Sequence, residues 1–337
     1  MNTTAVLQKL IARKDLSEKE SRQILLDMAE GKVLPAQIAA ILTAFRMKGE
    51  TPNELAGFIR GMREKMVKIK AKDAIDVCGT GGDDKHTFNI STAVAFVVAG
   101  CGVPVVKHGN RSATSSCGSA DVLESLGAKI QLSTTQAADT FTKCGITFLF
   151  APIYHPAMKH VASVRKELGI RTLFNVLGPF ANPSGVKRQL IGVPTTDIAR
   201  RLAQAAKRLS YSRLLLVTSA DGMDEANTYT NATIFEVSGN KAKRFIVDPA
   251  SYNFRKSSKQ ALLGGDANQN ARIIVSLLDG EKGARRDTVV FNSGLALYAA
   301  ATVKNISDGI MRAQESIDNG HAKSVLQHFI RQTQAYA

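Results

Sequence analysis

The chain has 337 residues, 44% of them hydrophobic, enough to bury one large core or two. Its formal net charge of +15, from 44 Lys and Arg against 29 Asp and Glu, admits either a nucleic-acid partner or an acidic small substrate. The charges are interleaved with apolar residues in RGMREKMVKIKAK, KAKR, RKSSK and KGARR, and no arginine-rich tail or aromatic-studded RNA motif occurs, so solvated faces are expected and nucleic acid is not.

The first seventy or so residues read as helices. Ser17 with Glu20 makes a capping box before SRQILLDMAE, and Thr51-Pro52 with Glu54 makes another before LAGFIRGMREKM. Between them PAQIAAILTAFRMKG opens on proline and closes on Gly49, which predicts a small all-helical domain over residues 1–72. From Ala74 the texture changes to short apolar runs, AIDVC, VPVVKHG, AKIQL, TFLFAP, QLIGV, RLLLVTS, TIFEV and TVVFNS, separated by amphipathic stretches. That alternation predicts an α/β domain over residues 73–337 with a mainly parallel central sheet covered by helices. A helical passage, HPAMKHVASVRKELGIRTLFNVLGPFANP, interrupts it, and its part at about 165–185 is expected to pack back onto the N-terminal helices. Stretches such as AVAFVVAGCGVPVV are too short and too broken to span a bilayer, and MNTTAVLQKLIARK lacks a basic start and a cleavable apolar core, so the expectation is a cytoplasmic protein without a membrane partner. Cys78, Cys101, Cys117 and Cys144 show no C-x-x-C spacing and are expected to be free thiols.

Three stretches carry chemistry. DVCGTGGDDKHTFNIST is strand, glycine turn and helix start, a geometry in which backbone amides and a helix N-terminus converge on an anion. Asp84 breaks the dinucleotide G-x-G-x-x-G pattern and no G-K-[ST] follows, which excludes the two commonest phosphate turns. KHGNRSATSSCGSAD, Lys107 to Asp121, again follows a strand and combines cations, an imidazole and hydroxyls beside glycines, a composition suited to a diphosphate and sugar hydroxyls. DGMDEANT places Asp224 and Glu225 after RLLLVTSA, where adjacent carboxylates offer hard oxygens to Mg2+ or form an exposed acidic turn.

The runs GTGGD, NIST, KHGN, GSADVLE, YHPAMKHVASVRKELGIRTLFNVLGP, DGMDE, GGDANQNA and GEKGARRD occur in that order over essentially the whole chain, which thereby resembles the anthranilate phosphoribosyltransferases of tryptophan biosynthesis. The resemblance implies a fold shared with pyrimidine nucleoside phosphorylases and transfer of phosphoribose from 5-phosphoribosyl-1-diphosphate to anthranilate. It implies that Gly79, Gly82, Asp83, Thr87, Asn89, Ile90, Ser91 and Thr92 hold the diphosphate substrate. Lys107, His108, Gly109, Asn110, Arg111, Ser112, Ala113, Thr114, Ser115 and Ser119 would complete that cradle. Ser91, Asp224 and Glu225 would bind Mg2+, and Gly79, His108, Asn110 and Arg165 would meet anthranilate, with a two-pronged guanidinium on the carboxylate. A homodimer through the N-terminal helices is implied as well. Two departures stand out: Ser116-Cys117 replaces a lysine common in the loop, and ANTYTNAT lacks the commoner Ser-Gly-Pro after the acidic pair. No general base is assigned, because the anthranilate amine is uncharged and already nucleophilic. Two alternatives are a pyrimidine nucleoside phosphorylase-like enzyme, against which the acidic pair and Arg165 argue, and a non-catalytic nucleic-acid-binding relative, disfavoured by the diphosphate and metal motifs.

Overall fold

The computed structural model describes residues 2–112 and 116–336. Four helices come first, α1 (Thr3–Ile11), α2 (Glu18–Ala29), α3 (Pro35–Lys48) and α4 (Pro52–Lys65). Both capping boxes form: Ser17 and Thr51 accept from the Glu20 and Glu54 amides, and those glutamates accept in return from the Ser17 and Thr51 amides. Glu54 is buried and also takes bonds from the Leu16 amide, 2.8 Å, and from Lys48 Nζ, 2.9 Å, so the cap of α4 doubles as an internal clamp of the module.

The remainder runs β1 (Ile75–Gly79), α5 (Ile90–Gly100), β2 (Val105–Gly109), α6 (Ser119–Ser125), α7 (Thr134–Cys144), β3 (Ile146–Phe150), α8 (Ala151–Tyr154), α9 (Lys159–Leu168) and α10 (Phe174–Leu177). It continues through β4 (Arg188–Gly192), α11 (Thr196–Ala206), β5 (Arg213–Ser219), β6 (Ala232–Ser238) and β7 (Lys241–Val247) to α12 (Ala267–Leu278), α13 (Ala284–Ala299), α14 (Ile306–Asp318) and α15 (His321–Gln334). The seven strands form one sheet in the order β3-β2-β1-β4-β5-β6-β7. The first five are parallel, and β6 and β7 add antiparallel at one edge. This is the mainly parallel α/β architecture expected.

Successive side chains of a strand point to opposite faces, and here the two faces meet different partners. Ile75, Val77, Val105, Leu190, Leu215 and Val217 join one apolar cluster with residues of α5, α13 and α15. Their neighbours Cys78, Ile191, Leu214 and Leu216 join a second cluster with residues of α1 to α4, α9, α10 and α11. We call these the α5 face and the module face. Val161, Val164, Leu173 and Phe174 belong to the second cluster too, so the interrupting helical passage shares its apolar core with the N-terminal helices.

Two expected strands are absent. TVVFNS lies inside α13, a helix buried on nearly every side, where an apolar run has no periodicity to betray it. AKIQL buries Ala128, Ile130 and Leu132 in strand-like alternation, but the Lys129 amide donates to Thr333 Oγ1 of α15, 3.2 Å, rather than to a neighbouring strand. Conversely β7, KAKRFIV, is a strand that the apolar pattern does not announce, because as an exposed edge strand it carries charge where a core strand carries apolar side chains.

Candidate functional site

Three adjacent parallel strands, β2, β1 and β4, each end on glycine: Gly109, Gly79 and Gly192. Gly79 pairs with Gly192 in register, at the point where the chain's connections leave the sheet in opposite directions and where open α/β sheets take their ligands. Alternation turns all three missing side chains to the α5 face, and other groups fill the space. A Cβ would lie 2.4 Å from Asp224 Oδ2 at Gly79, 1.6 Å from the Asp224 carbonyl oxygen at Gly192, and 2.2 Å from Ser119 Oγ at Gly109. The DGMDE loop therefore rests directly on bare strand ends.

The turn after β1 folds over that loop. Thr80 N donates to the Gly192 carbonyl, 2.9 Å, and Gly81 N to Asp224 Oδ2, 3.1 Å. Gly81, Gly82, Asp84 and His86 all have positive φ, a tight curl that glycine relieves at its first two positions. Asp83 Oδ2 accepts from the Asp224 amide, 3.3 Å, and ligand oxygens of Asp83, Asp224 and Glu225 lie within 4.8 Å of one another. Burial, then the neighbouring Asp83, pushes the Asp224 carboxyl up to about 6. Burial and Asp224 likewise hold Glu225 well above the ordinary carboxylate range. Glu225 Oε2 is buried with no hydrogen-bond partner. Three crowded carboxylates, one with an unsatisfied oxygen, suit a hard divalent cation.

Lys107, fully buried on the same face, donates from Nζ to the Val77 carbonyl, 2.7 Å, and to Ser91 Oγ, 3.1 Å. Burial lowers its pKa, while Cys78, Asp76 and Glu225 work in the opposite direction. Ser91, Ile90 and Thr92 lie in the first turn of α5, and Thr92 Oγ1 is buried without a partner. Asn89 ties three segments together, its amide donating to the Cys117 carbonyl, 3.1 Å, and accepting from Asn270, 2.9 Å. Thr87 forms a bridge with Leu263.

The loop after β2 is closed by Asp121, whose Oδ2 accepts from the amides of Ser112, 3.1 Å, and Gly118, 2.8 Å. Arg111 turns to Asp121 and Glu124, and Asn110 is exposed. Ser116 donates to the Gly265 carbonyl, 2.9 Å, and Cys117 is buried in the apolar core. Ala113, Thr114 and Ser115 lie outside the described residues.

One residue beyond Lys107, His108 faces the module instead. Its ring centroid stands 5.1 Å from that of His155, and Nε2 of both is buried without a partner. Burial, then His155, pushes His108 down to about 3, opposed by the Gly178 carbonyl; burial brings His155 to about 4, opposed by the Ala181 carbonyl. Both rings are neutral at ordinary pH. Arg165, on α9, stacks over Phe174 at 5.5 Å, and burial lowers its pKa. A cavity of about 470 Å3 opens where the module meets the glycine turn, lined by Gly82, Asp84 and Lys85 against Arg171, Val176 and Arg201.

Sequence reasoning passes over three residues that shape this arrangement. Gly192 is legible as the third strand run to end on glycine. Asn292 of α13 accepts from the Ala226 amide, 3.1 Å, and donates to the Ala226 carbonyl, 2.7 Å, fixing the acidic loop; it is hidden in TVVFNS. His155, inside the long run beginning YHPAMKH, pairs with His108 only through tertiary folding.

The packing at Gly192 and the burial of the imidazoles can each be tested. Gly192→Ala must displace the Asp224 main chain and should weaken Mn2+ binding, read by electron paramagnetic resonance, at least about tenfold, or about 1.4 kcal/mol; unchanged affinity in a variant with native circular dichroism would contradict the packing argument. For the imidazoles, the unfolded chain protonates at about 6.5 whereas the folded one resists to about 4 or below. The unfolded state then binds more protons in that window, so these groups make stability fall as pH drops through it, while the upshifted Asp224 and Glu225 act with the opposite sign. Denaturant melts of His155→Gln should accordingly lose less stability than wild type between about pH 6.5 and about pH 4.5; parallel curves would refute a neutral buried His155.

Residues 71–323 match the a/b domain of the glycosyl transferase family, and residues 4–66 match its helical bundle domain. The chain is 46% identical over 321 residues to anthranilate phosphoribosyltransferase of Desulforamulus reducens, covering 95% of this chain and 93% of that protein. Anthranilate phosphoribosyltransferase from Thermus thermophilus superposes with a TM-score of 0.91 at 35% identity over 98% of this chain and 99% of its own. The enzyme from Saccharomyces cerevisiae, in complex with PRPP and Mg, superposes with a TM-score of 0.91 at 26% identity over 99% and 98%. Fold, domain matches and near full-length identity agree: the chain belongs to the anthranilate phosphoribosyltransferase family.

Proposed function

We propose that this chain transfers the 5-phosphoribosyl group of 5-phosphoribosyl-1-diphosphate to the amine of anthranilate, giving N-(5-phosphoribosyl)anthranilate and pyrophosphate in tryptophan biosynthesis. The observation that carries the reading is the carboxylate cluster of Asp83, Asp224 and Glu225 on the same sheet face as the buried ammonium of Lys107. A diphosphate carrying a divalent cation complements both charges.

In this reading Asp224, Glu225 and Ser91 hold Mg2+, with Asp83 close enough to share it. Bound there, Mg2+ neutralises the diphosphate and stabilises the charge that departs with pyrophosphate. Lys107 adds a fixed positive charge to the same leaving group. Gly79, Gly82 and Asp83 of the glycine turn, Thr87 and the first turn of α5 at Asn89, Ile90 and Thr92 would line the diphosphate, with the loop from Gly109 through Asn110 and Ser112 to Ser119 over the sugar. Arg111 would reach this cradle only by exchanging its surface partners, Asp121 and Glu124. Ser116 would order the loop through Gly265 where relatives commonly carry a lysine.

Anthranilate would approach from the module face, beside Gly79, Asn110 and His108. The Arg165 side chain makes no hydrogen bond or ion pair with any described residue, and a half-buried guanidinium in that state suits a carboxylate. His108 keeps its Nε2 lone pair free, but at a pKa of about 3 it is a weak base. Its role is to accept a hydrogen bond from the amine and aim it; positioning supplies the rate, and no general base is assigned.

In our reading the chain forms two units, residues 1–72 with the passage at about 165–185 packing back onto them, and the α/β unit of residues 73–337. Exposed Ile11, Leu34 and Met47 on and between the first three helices support a homodimer through that module. Among the described residues no helix is long and apolar enough to cross a membrane, and the four cysteines are free thiols, which fits the cytoplasm.

The reading is tested by loss of anthranilate fluorescence with 5-phosphoribosyl-1-diphosphate and Mg2+; no turnover by folded protein would overturn it. Asp224→Asn with Glu225→Gln should abolish turnover and preserve the fold, and full activity in saturating Mg2+ would remove the metal assignment. Arg165→Ala should raise the anthranilate KM roughly ten- to a hundredfold, the worth of a charge-assisted bond at about 1.5–3 kcal/mol, while sparing the diphosphate substrate. The reverse pattern by calorimetry would exchange the two pockets.

A further inference from the structure

A continuous buried hydrogen-bond chain crosses the module face from the helical module to His108. Arg63 of α4 donates from Nη2 to Tyr211 OH, 2.7 Å, and Tyr211 donates to Gln189 Oε1, 2.7 Å. Gln189 Nε2 donates to Asp76 Oδ2, 3.0 Å, and Asp76 Oδ1 accepts from the amide of His108, 3.3 Å. Asn182 braces the same carboxylate from Nδ2, 2.9 Å. Asp76, Asn182, Gln189 and Tyr211 are all at most 2% exposed. Apart from His108 at its end, nothing in this chain of bonds touches the substrates as placed above.

The same residues also grip the turn that faces the imidazole. Arg63 Nε donates to the Phe180 carbonyl, 2.7 Å, and Gln189 Nε2 to the Pro179 carbonyl, 2.8 Å, next to Gly178, whose carbonyl opposes the downward shift of His108. Two consecutive carbonyls are thus held, and His108 is fixed through its main-chain amide by Asp76.

We propose that Asp76, Gln189, Tyr211 and Arg63 are positioning residues that fix the His108 main chain and the Pro179–Phe180 turn facing its ring, and so set the orientation of His108 with its free Nε2 towards the acceptor's amine. Burying four polar groups in this way is costly unless every member is satisfied, and a satisfied network specifies one arrangement. The role of the amine rests on the function proposed above; the orientation of the ring does not. Because Arg63 belongs to the module, the chain also makes the imidazole sensitive to how the helical module seats on the sheet.

The test is Tyr211→Phe, which breaks the chain two bonds away from His108. Its 15N imidazole resonances, assigned by loss in His108→Gln, should move in Tyr211→Phe and stay in place in Tyr298→Phe, which removes a hydroxyl elsewhere. In turnover, Tyr211→Phe should raise the anthranilate KM about three- to tenfold with the KM for 5-phosphoribosyl-1-diphosphate unchanged, and this effect should vanish in a His108→Ala background. Should Tyr211→Phe fail to fold, Arg63→Lys on the partly exposed end of the chain is read by the same two measurements. Unmoved His108 resonances, or a KM effect that persists in full without His108, would overturn the proposal. If wild type itself lacks anthranilate turnover, the functional reading falls and the resonances alone decide the positioning claim.

Discussion

The absence of a side chain at the ends of three neighbouring strands is the constraint on which this site depends. Gly79 and Gly192 leave room for the Asp224 side chain and main chain, and Gly109 leaves room for Ser119. With any other residue there, the acidic loop would have to stand off the sheet, and the carboxylates could not crowd together beside Lys107. Asn292 then holds that loop through both polar groups of Ala226, so the cluster is fixed from below by glycine and from behind by a buried amide.

Strand alternation converts one short run into two chemistries. Lys107 and His108 are adjacent in sequence, yet one meets Ser91 on the α5 face and the other meets His155 on the module face. Burial acts on both in the same direction, lowering each pKa, but with different outcomes. The lysine sits among acidic groups that favour its charge, whereas the histidine has a second imidazole for a neighbour and stays neutral. A charged face suited to a diphosphate and an uncharged, partly aromatic face suited to an arylamine follow from the pleat.

Much of this is legible in the sequence. Capping boxes, six of the eight apolar runs read as strands, and the strand, glycine turn and helix of DVCGTGGDDKHTFNIST are local signals that appear in the structure at their places. What stays hidden is what depends on long-range packing. TVVFNS has no period because α13 is enclosed on nearly all sides, so a pattern-based reading misplaces Asn292 on a strand. KAKRFIV looks like a surface loop because its edge position exposes its charges. Asp76 reads as one more aspartate near a phosphate turn, and only the pairing of β1 with β4 reveals that it points the other way, to Gln189 and Asn182.

The division of the two faces is tested most directly by a crystal structure of the protein with 5-phosphoribosyl-1-diphosphate, anthranilate and Mn2+, the metal located by its anomalous signal. The account predicts the anomalous peak among Asp224, Glu225 and Ser91 on the α5 face, and the aromatic ring against His108 on the module face with its carboxylate on Arg165. A metal or diphosphate lying beside His108 and His155, or both substrates on one face of the sheet, would contradict it.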